Sequence, residues 1–237
     1  GIAARAALIA KYRSENKHVL LFDSGDFFQG TPYFNRFHGV LEMKLMSKLA
    51  YDVATLGNHD FDIGIEGFMQ AQQYAQFKFV NANYDFGQTP MSAVVQPYQI
   101  LEKGPYKVGV FGLGVDLNGL VPQSNFQGIV MKDPYESAKK VIQSLNEAHC
   151  DFIVCLSHLG YQYQDEQKPS DVLLAQKVPG IDLILGGHTH TFMDEPTKVT
   201  NVEGKDVWIH QVGWAGVRLG VIEVSANKFS FWQRKIQ

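Results

Sequence analysis

The sequence predicts an α/β fold in which two packed sheets are covered on their outer faces by helices. Helical and strand periods alternate through the first two-thirds of the 237 residues, and the C-terminal part turns almost wholly to strand. Four short apolar runs also end in a small residue or turn that carries Asp, Asn or His. Val19 to Phe22 leads into Asp23-Ser24-Gly25-Asp26, and Val53 to Leu56 leads into Gly57-Asn58-His59-Asp60-Phe61-Asp62. Phe152 to Leu156 leads into Ser157-His158, and Asp182 to Leu185 leads into Gly186-Gly187-His188-Thr189-His190. Ligands gather beyond the carboxyl ends of parallel strands, so these four ends are expected to form one site.

The elements follow in order. Ile2, Ala6, Ile9 and Ala10 mark a helix to about Arg13, stopped by Ser14-Glu15-Asn16-Lys17 before the first buried strand. Gly30-Thr31-Pro32 breaks the chain. Leu41, Leu45, Met46 and Leu49 form one face of a second helix, with Glu42, Lys44 and Lys48 opposite. Ile65, Phe68, Met69, Gln72 and Ala75 suggest a third helix, and Phe77 to Asn83 a strand weakened by Asn81 and Asn83.

From Tyr98 to Leu113 two strands turn around Lys103-Gly104-Pro105, and a loop follows from about Gly114 to Lys132. Asp133-Pro134-Tyr135-Glu136 opens a helix: a capping carboxylate, a proline in the first turn and a glutamate three residues after the cap. Its apolar face is Ala138, Val141, Ile142 and Leu145. Strand 152–156, a helix near 171–177 and strand 182–185 make a parallel crossover. The remaining strands turn at Glu203-Gly204-Lys205 and Ser225-Ala226-Asn227.

Composition narrows the function. With 45% hydrophobic residues the chain can bury a good core, and one domain over residues 1–237 is expected. A formal net charge of −3 gives no basic footprint for a nucleic acid polymer. No run of about 18 apolar residues offers a transmembrane segment. Cys150 and Cys155 lie five steps apart at about 3.3 Å each if they share a strand, beyond disulfide reach, so both are expected as free thiols.

The strand ends carry the chemistry. Asp26, Asn58, His158, His188 and His190 offer one carboxylate, one amide oxygen and three imidazoles, a donor set suited to zinc, manganese or iron rather than calcium. A carboxylate such as Asp26 can bridge two ions about 3.5–4 Å apart, which activate water and clamp phosphoryl oxygens. His59 would then sit beside the substrate, and Asp62 could fix its tautomer. Taken singly, Asp26 and Asn58 after glycine are ordinary turn residues, and His158 an ordinary core histidine. In an extended segment His188 and His190 would point to one side. Joint occurrence at four strand ends is what favours a metal. Asp23 and Asp60 read as structural or supporting carboxylates.

The stretches GDFFQGTP, TLGNHDFD, SHLG and GGHTH resemble the calcineurin-like metallophosphoesterases, specifically the bacterial 5′-nucleotidase branch. FVNANY, KGPYKVGVFGLG and HQVGWAGVRLG extend the resemblance over nearly the whole chain. It implies a four-layer α/β/β/α sandwich with two mixed sheets, the metallophosphatase fold. It implies two divalent metal ions (Mn, Zn, Fe or Co): Asp26 bridging, Asn58, His158 and His188 completing one site, His190 in the other. His59 and Asp62 match the family's catalytic dyad. The family also begins with a strand ending in Asp-x-His, both ligands of the first metal, so that motif is expected upstream of Gly1. The 5′-nucleotidases carry a second, C-terminal nucleotide-binding domain to which nothing in this sequence corresponds.

The expected function is two-metal hydrolysis of a phosphomonoester, nucleotides in first place. A thiosulfohydrolase on the same scaffold, and a catalytically silent metal- or nucleotide-binding subunit completed by another polypeptide, are the competing expectations. By resemblance the location is periplasm or cell surface.

Overall fold

The computed structural model describes residues 1–225 and 228–236. Helix α1 (Ile2–Glu15) stops at Asn16, whose backbone N–H donates to the Tyr12 carbonyl. Strand β1 (Phe22–Asp23) follows, then α2 (Pro32–Phe37), α3 (Val40–Lys48) and β2 (Val53–Ala54). Helix α4 (Gly64–Gln72) leads to β3 (Lys78–Val80), β4 (Tyr84–Asp85) and β5 (Val95–Gln96). The hairpin β6 (Tyr98–Lys103) and β7 (Tyr106–Leu113) precedes β8 (Val130–Met131), α5 (Pro134–Glu147) and β9 (Phe152–Ser157). Then come α6 (Asp171–Lys177), β10 (Leu183–Gly186), β11 (Thr197–Thr200), β12 (Asp206–His210), β13 (Arg218–Ser225) and β14 (Lys228–Lys235).

Two sheets form the centre. One has the order β1-β2-β3-β5, the other β11-β12-β10-β9-β7-β6. Every pairing in the smaller sheet is parallel. The larger sheet is mixed: β7, β9, β10 and β12 run parallel, flanked by antiparallel β6 and β11. The crossover β9–α6–β10 is as expected.

Three apolar layers account for four structural layers. Side chains alternate across each strand, so β9 sends Phe152, Val154 and Leu156 into the space between the sheets and Ile153 and Cys155 toward α5 and α6. Val53 and Val80 meet them from the smaller sheet, while Ala54 and Phe79 face the outer layer with Met43 and Phe68 of α3 and α4. The β13–β14 hairpin pairs with neither sheet. It lays Ile222, Val224, Phe229 and Phe231 onto the middle layer, with Phe229 edge-on to Phe152.

Several local expectations change. The break at Gly30-Thr31-Pro32 also starts a helix: the Thr31 hydroxyl accepts from Phe34 N–H at 3.3 Å, and Pro32 takes the first turn of α2. Strand β3 stops at Val80 rather than Asn83. The Asn81 side chain accepts from the N–H groups of Asn83 and Tyr84, making a turn. Asn83 pairs both its amide groups with the backbone of Gly114. The 114–132 loop contains a short 3-10 turn (Gln123–Phe126) and β8.

Helix α5 is as expected, with Asp133 Oδ1 accepting from Glu136 N–H at 2.8 Å and Ala138, Val141, Ile142 and Leu145 buried. Both cysteines are free. The turn at Glu203-Gly204-Lys205 joins β11 to β12, while Ala226 and Asn227 of the other expected turn lie outside the described residues. No helix among the described residues is long and apolar enough to cross a membrane.

Candidate metal centre

Strand register delivers the site. In the smaller sheet Asp23 lies beside Ala54, so the turns carrying Asp26 and Asn58 leave from neighbouring parallel strands. In the larger sheet Gly186 lies beside Ser157, which puts His158 and the His188 turn next to each other. The two sheets then meet at these ends. His158 Nδ1 lies 2.6 Å from the Ser24 carbonyl, and Ser24 Oγ donates to the Leu185 carbonyl at 2.7 Å.

Asp26, His158 and His188 present ligand atoms that all lie within 4.8 Å of one another. His158 Nε2 is 3.0 Å from Asp26 Oδ2, yet it is buried without an aligned hydrogen-bond partner. A buried nitrogen left so, beside a carboxylate and a second imidazole, fits a set that could hold a divalent ion. Asn58, also buried, faces His188 with Oδ1 2.9 Å from Nδ1. Burial pushes the Asp26 carboxyl up, but the His158 imidazole and the N–H of His59 outweigh it and hold the carboxyl below its usual range. Burial and the neighbouring His158 bring His188 down to about 4, so its ring is a neutral electron-pair donor at pH 7.

The supporting structure is specific. Asp60 is fully buried and accepts from the N–H groups of Asp26, Gly57 and Phe28, which agrees with a structural role. Gly57 admits no side chain, because a Cβ there would lie 2.2 Å from Asp26 Oδ1 and 2.5 Å from His158 Cε1. Asp26 itself is left-handed, at φ 61°. Such strain in a non-glycine residue persists where surrounding contacts over-determine it.

His59 and Asp62 come together on a 3-10 turn (His59–Phe61), with Nδ1 2.8 Å from Oδ2. The His59 backbone N–H donates to Asp26 Oδ1 at 2.8 Å, which ties this pair to the cluster. The His59 ring is half exposed and accessible to a substrate.

His188 and His190 do not share an extended segment. Both are left-handed, at φ 65° and 54°, because the chain turns sharply after β10. The cluster does not take in His190, whose exposed ring stacks on Trp214 at 5.8 Å between centroids. Two supporting residues escaped the sequence reading. Asn125 Nδ2 donates to the carbonyls of Phe61 and Asp62, each at 3.0 Å, and so holds the turn bearing His59 and Asp62. Gln211 is buried beneath the His188–His190 turn. Asn125 stands in a polar loop where nothing in its neighbours singles it out; Gln211 follows His210 as the second of two polar residues within an apolar stretch, the one signal available.

A four-layer sandwich with a histidine–carboxylate cluster at its strand ends defines the class. The chain belongs to the calcineurin-like phosphoesterase family, whose pattern matches residues 1–192. It is 31% identical to the trifunctional nucleotide phosphoesterase protein YfkN of Bacillus subtilis, over 96% of this chain and 18% of that protein. It is also 31% identical to the snake venom 5′-nucleotidase of Crotalus adamanteus, over 94% of this chain and 40% of the other. Among solved structures, the 5′-nucleotidase precursor from Thermus thermophilus superposes with a TM-score of 0.89 at 32% identity, covering 100% of this chain and 49% of that one. The chain thus spans half or less of the length of each.

Proposed function

We propose that this chain is the catalytic unit of a metal-dependent phosphomonoesterase acting on nucleotides. The observation that carries the reading is the convergence of Asp26, His158 and His188 within 4.8 Å, with the His59–Asp62 pair tied to Asp26. Asp26, Asn58, His158 and His188 would hold one divalent ion, and Asp26 with His190 would contribute to a second. Bound there, such ions activate water and neutralise phosphoryl oxygens.

The chain's own groups do the rest. Asp62 holds the proton on His59 Nδ1 and leaves Nε2 toward the substrate. From there the His59 ring would stabilise the phosphoryl charge or exchange a proton with the leaving oxygen. Asp60 and Asn125 keep Asp26 and His59 in register. Base recognition would come from a further domain or subunit, a reading supported by the greater length of the relatives. The venom source of one relative and the precursor form of another support an exported location.

The test is phosphate release by the purified protein with manganese, from a panel of nucleotides and chromogenic monoesters. Metal-dependent release is expected, fastest from nucleotides. No release from any ester would overturn the reading: sulfate release from a protein-bound thiosulfonate would then assign a thiosulfohydrolase, and nucleotide binding without turnover a silent subunit.

A further inference from the structure

The turn that carries His188 and His190 is held from below by one side chain. Gln211 follows the last residue of β12 and is 1% exposed. Its Nε2 donates to the Gly187 carbonyl at 2.8 Å, and its Oε1 accepts from the Thr191 backbone N–H. The same Oε1 accepts from the Thr189 hydroxyl at 3.3 Å. Both ends of one amide are therefore used, on either side of the two histidines.

Thr189 extends the hold. Its hydroxyl also accepts from Tyr161 N–H at 3.0 Å, in the loop that follows His158. His188 and His190 are both left-handed, and the hydroxyl of the residue between them joins this network. Gly186 passes between two buried groups: a Cβ there would lie 2.3 Å from Asp171 Oδ2 and 2.9 Å from Gln211 Nε2. Asp171 in turn accepts from Ser157 Oγ at 2.5 Å, one residue before His158.

We infer that Gln211, acting through Thr189 and the Gly187 carbonyl, is a positioning residue that holds His188 and His190 in their left-handed conformations and so sets the geometry of the metal ligands. Neither Gln211 nor Thr189 touches a ligand ring in this network. Two closely spaced left-handed sites on non-glycine residues are each disfavoured, because Cβ crowds the following carbonyl oxygen, and they need an external hold. A buried amide bonded at both ends supplies it, because breaking those bonds would leave the Thr191 N–H unsatisfied and remove one of the two donors to the Gly187 carbonyl, the other being Thr189 N–H. The inference rests on the metal reading proposed above.

The experiment is calorimetric titration of Mn²⁺ or Zn²⁺ into the metal-stripped protein, with thermal unfolding in chelator alongside. Gln211→Ala is expected to weaken affinity about 10- to 100-fold, the range seen when groups supporting metal ligands are removed. Thr189→Val should weaken it in the same direction, and Thr189→Ser, which keeps the hydroxyl, should restore it. Val207→Ala, a buried change in β12 away from the turn, should lower stability while leaving affinity unchanged. Unchanged affinity in both Thr189 variants, when His188→Ala has lost binding, would overturn the inference even if Gln211→Ala did not fold. No binding by the unaltered protein would instead overturn the metal reading itself.

Discussion

His59 Nδ1 and Asp62 Oδ2 meet at 2.8 Å across a single 3-10 turn, and the same turn donates the His59 N–H to Asp26. The proposed acid–base pair and the candidate metal carboxylate are thus mechanically joined through one peptide group.

That joint separates two roles. His59→Ala is expected to lower kcat by about 10²- to 10⁴-fold, the usual loss for a positioned acid–base group. Its metal content should stay near that of the unaltered protein, because the backbone N–H to Asp26 survives. Asp26→Ala should release metal as well as activity. Elemental analysis beside kinetics checks the pair; equal depletion of metal in both variants would refute the division.

Asn125 tests the turn from outside. Asn125→Ala removes both donors from the carbonyls of Phe61 and Asp62, at a cost of about 1–3 kcal/mol in stability for the lost partners. The expected kinetic effect is a lower kcat with KM little changed, since the His59–Asp62 geometry loosens while substrate contacts remain. Denaturant titration and steady-state kinetics measure the two effects; full kcat in a destabilised variant would confine Asn125 to stability.

Asp171 gives a pH signature. Burial, only partly opposed by the Ser157 hydrogen bond, pushes its carboxyl up to about 7. The folded protein therefore binds this proton more tightly than the unfolded chain, whose aspartates titrate near 3.9. Its contribution to stability is complete below the unfolded value and lost as pH rises through about 7. Asp171→Asn should accordingly gain stability relative to the unaltered protein between pH 5 and pH 7.5, measured in chelator. A difference that stays constant over that interval would show that Asp171 is ionised throughout.

Metal stoichiometry tests the ligand count. Asp26, Asn58, His158 and His188 are proposed for one ion, while only Asp26 and His190 are named for a second. Zinc-type sites take three or four protein ligands. Titration of the metal-stripped protein is expected to show one ion bound tightly and a second bound weakly. Two ions bound equally tightly would refute the assignment.

Much of this protein was legible from local pattern. Alternating apolar residues in β9 dictate which side chains meet the other sheet, and Asp133-Pro134 with Glu136 dictates where α5 begins. The four strand ends announced Asp26, Asn58, His158 and His188 as neighbours, because parallel strands bring their carboxyl ends to one edge. Such signals are short-range, and one chain displays them.

Tertiary structure decided what the sequence by itself left open. His188 and His190 are left-handed rather than extended, because Gln211, more than twenty residues onward, satisfies the backbone that the turn exposes. Asn125 reaches the turn of His59 from 64 residues away, and the β13–β14 hairpin fills the space between sheets without pairing to either. Periodicity and caps report how a segment folds on itself. Which buried polar group finds which distant partner depends on how completed layers pack, and no spacing in the sequence encodes that distance.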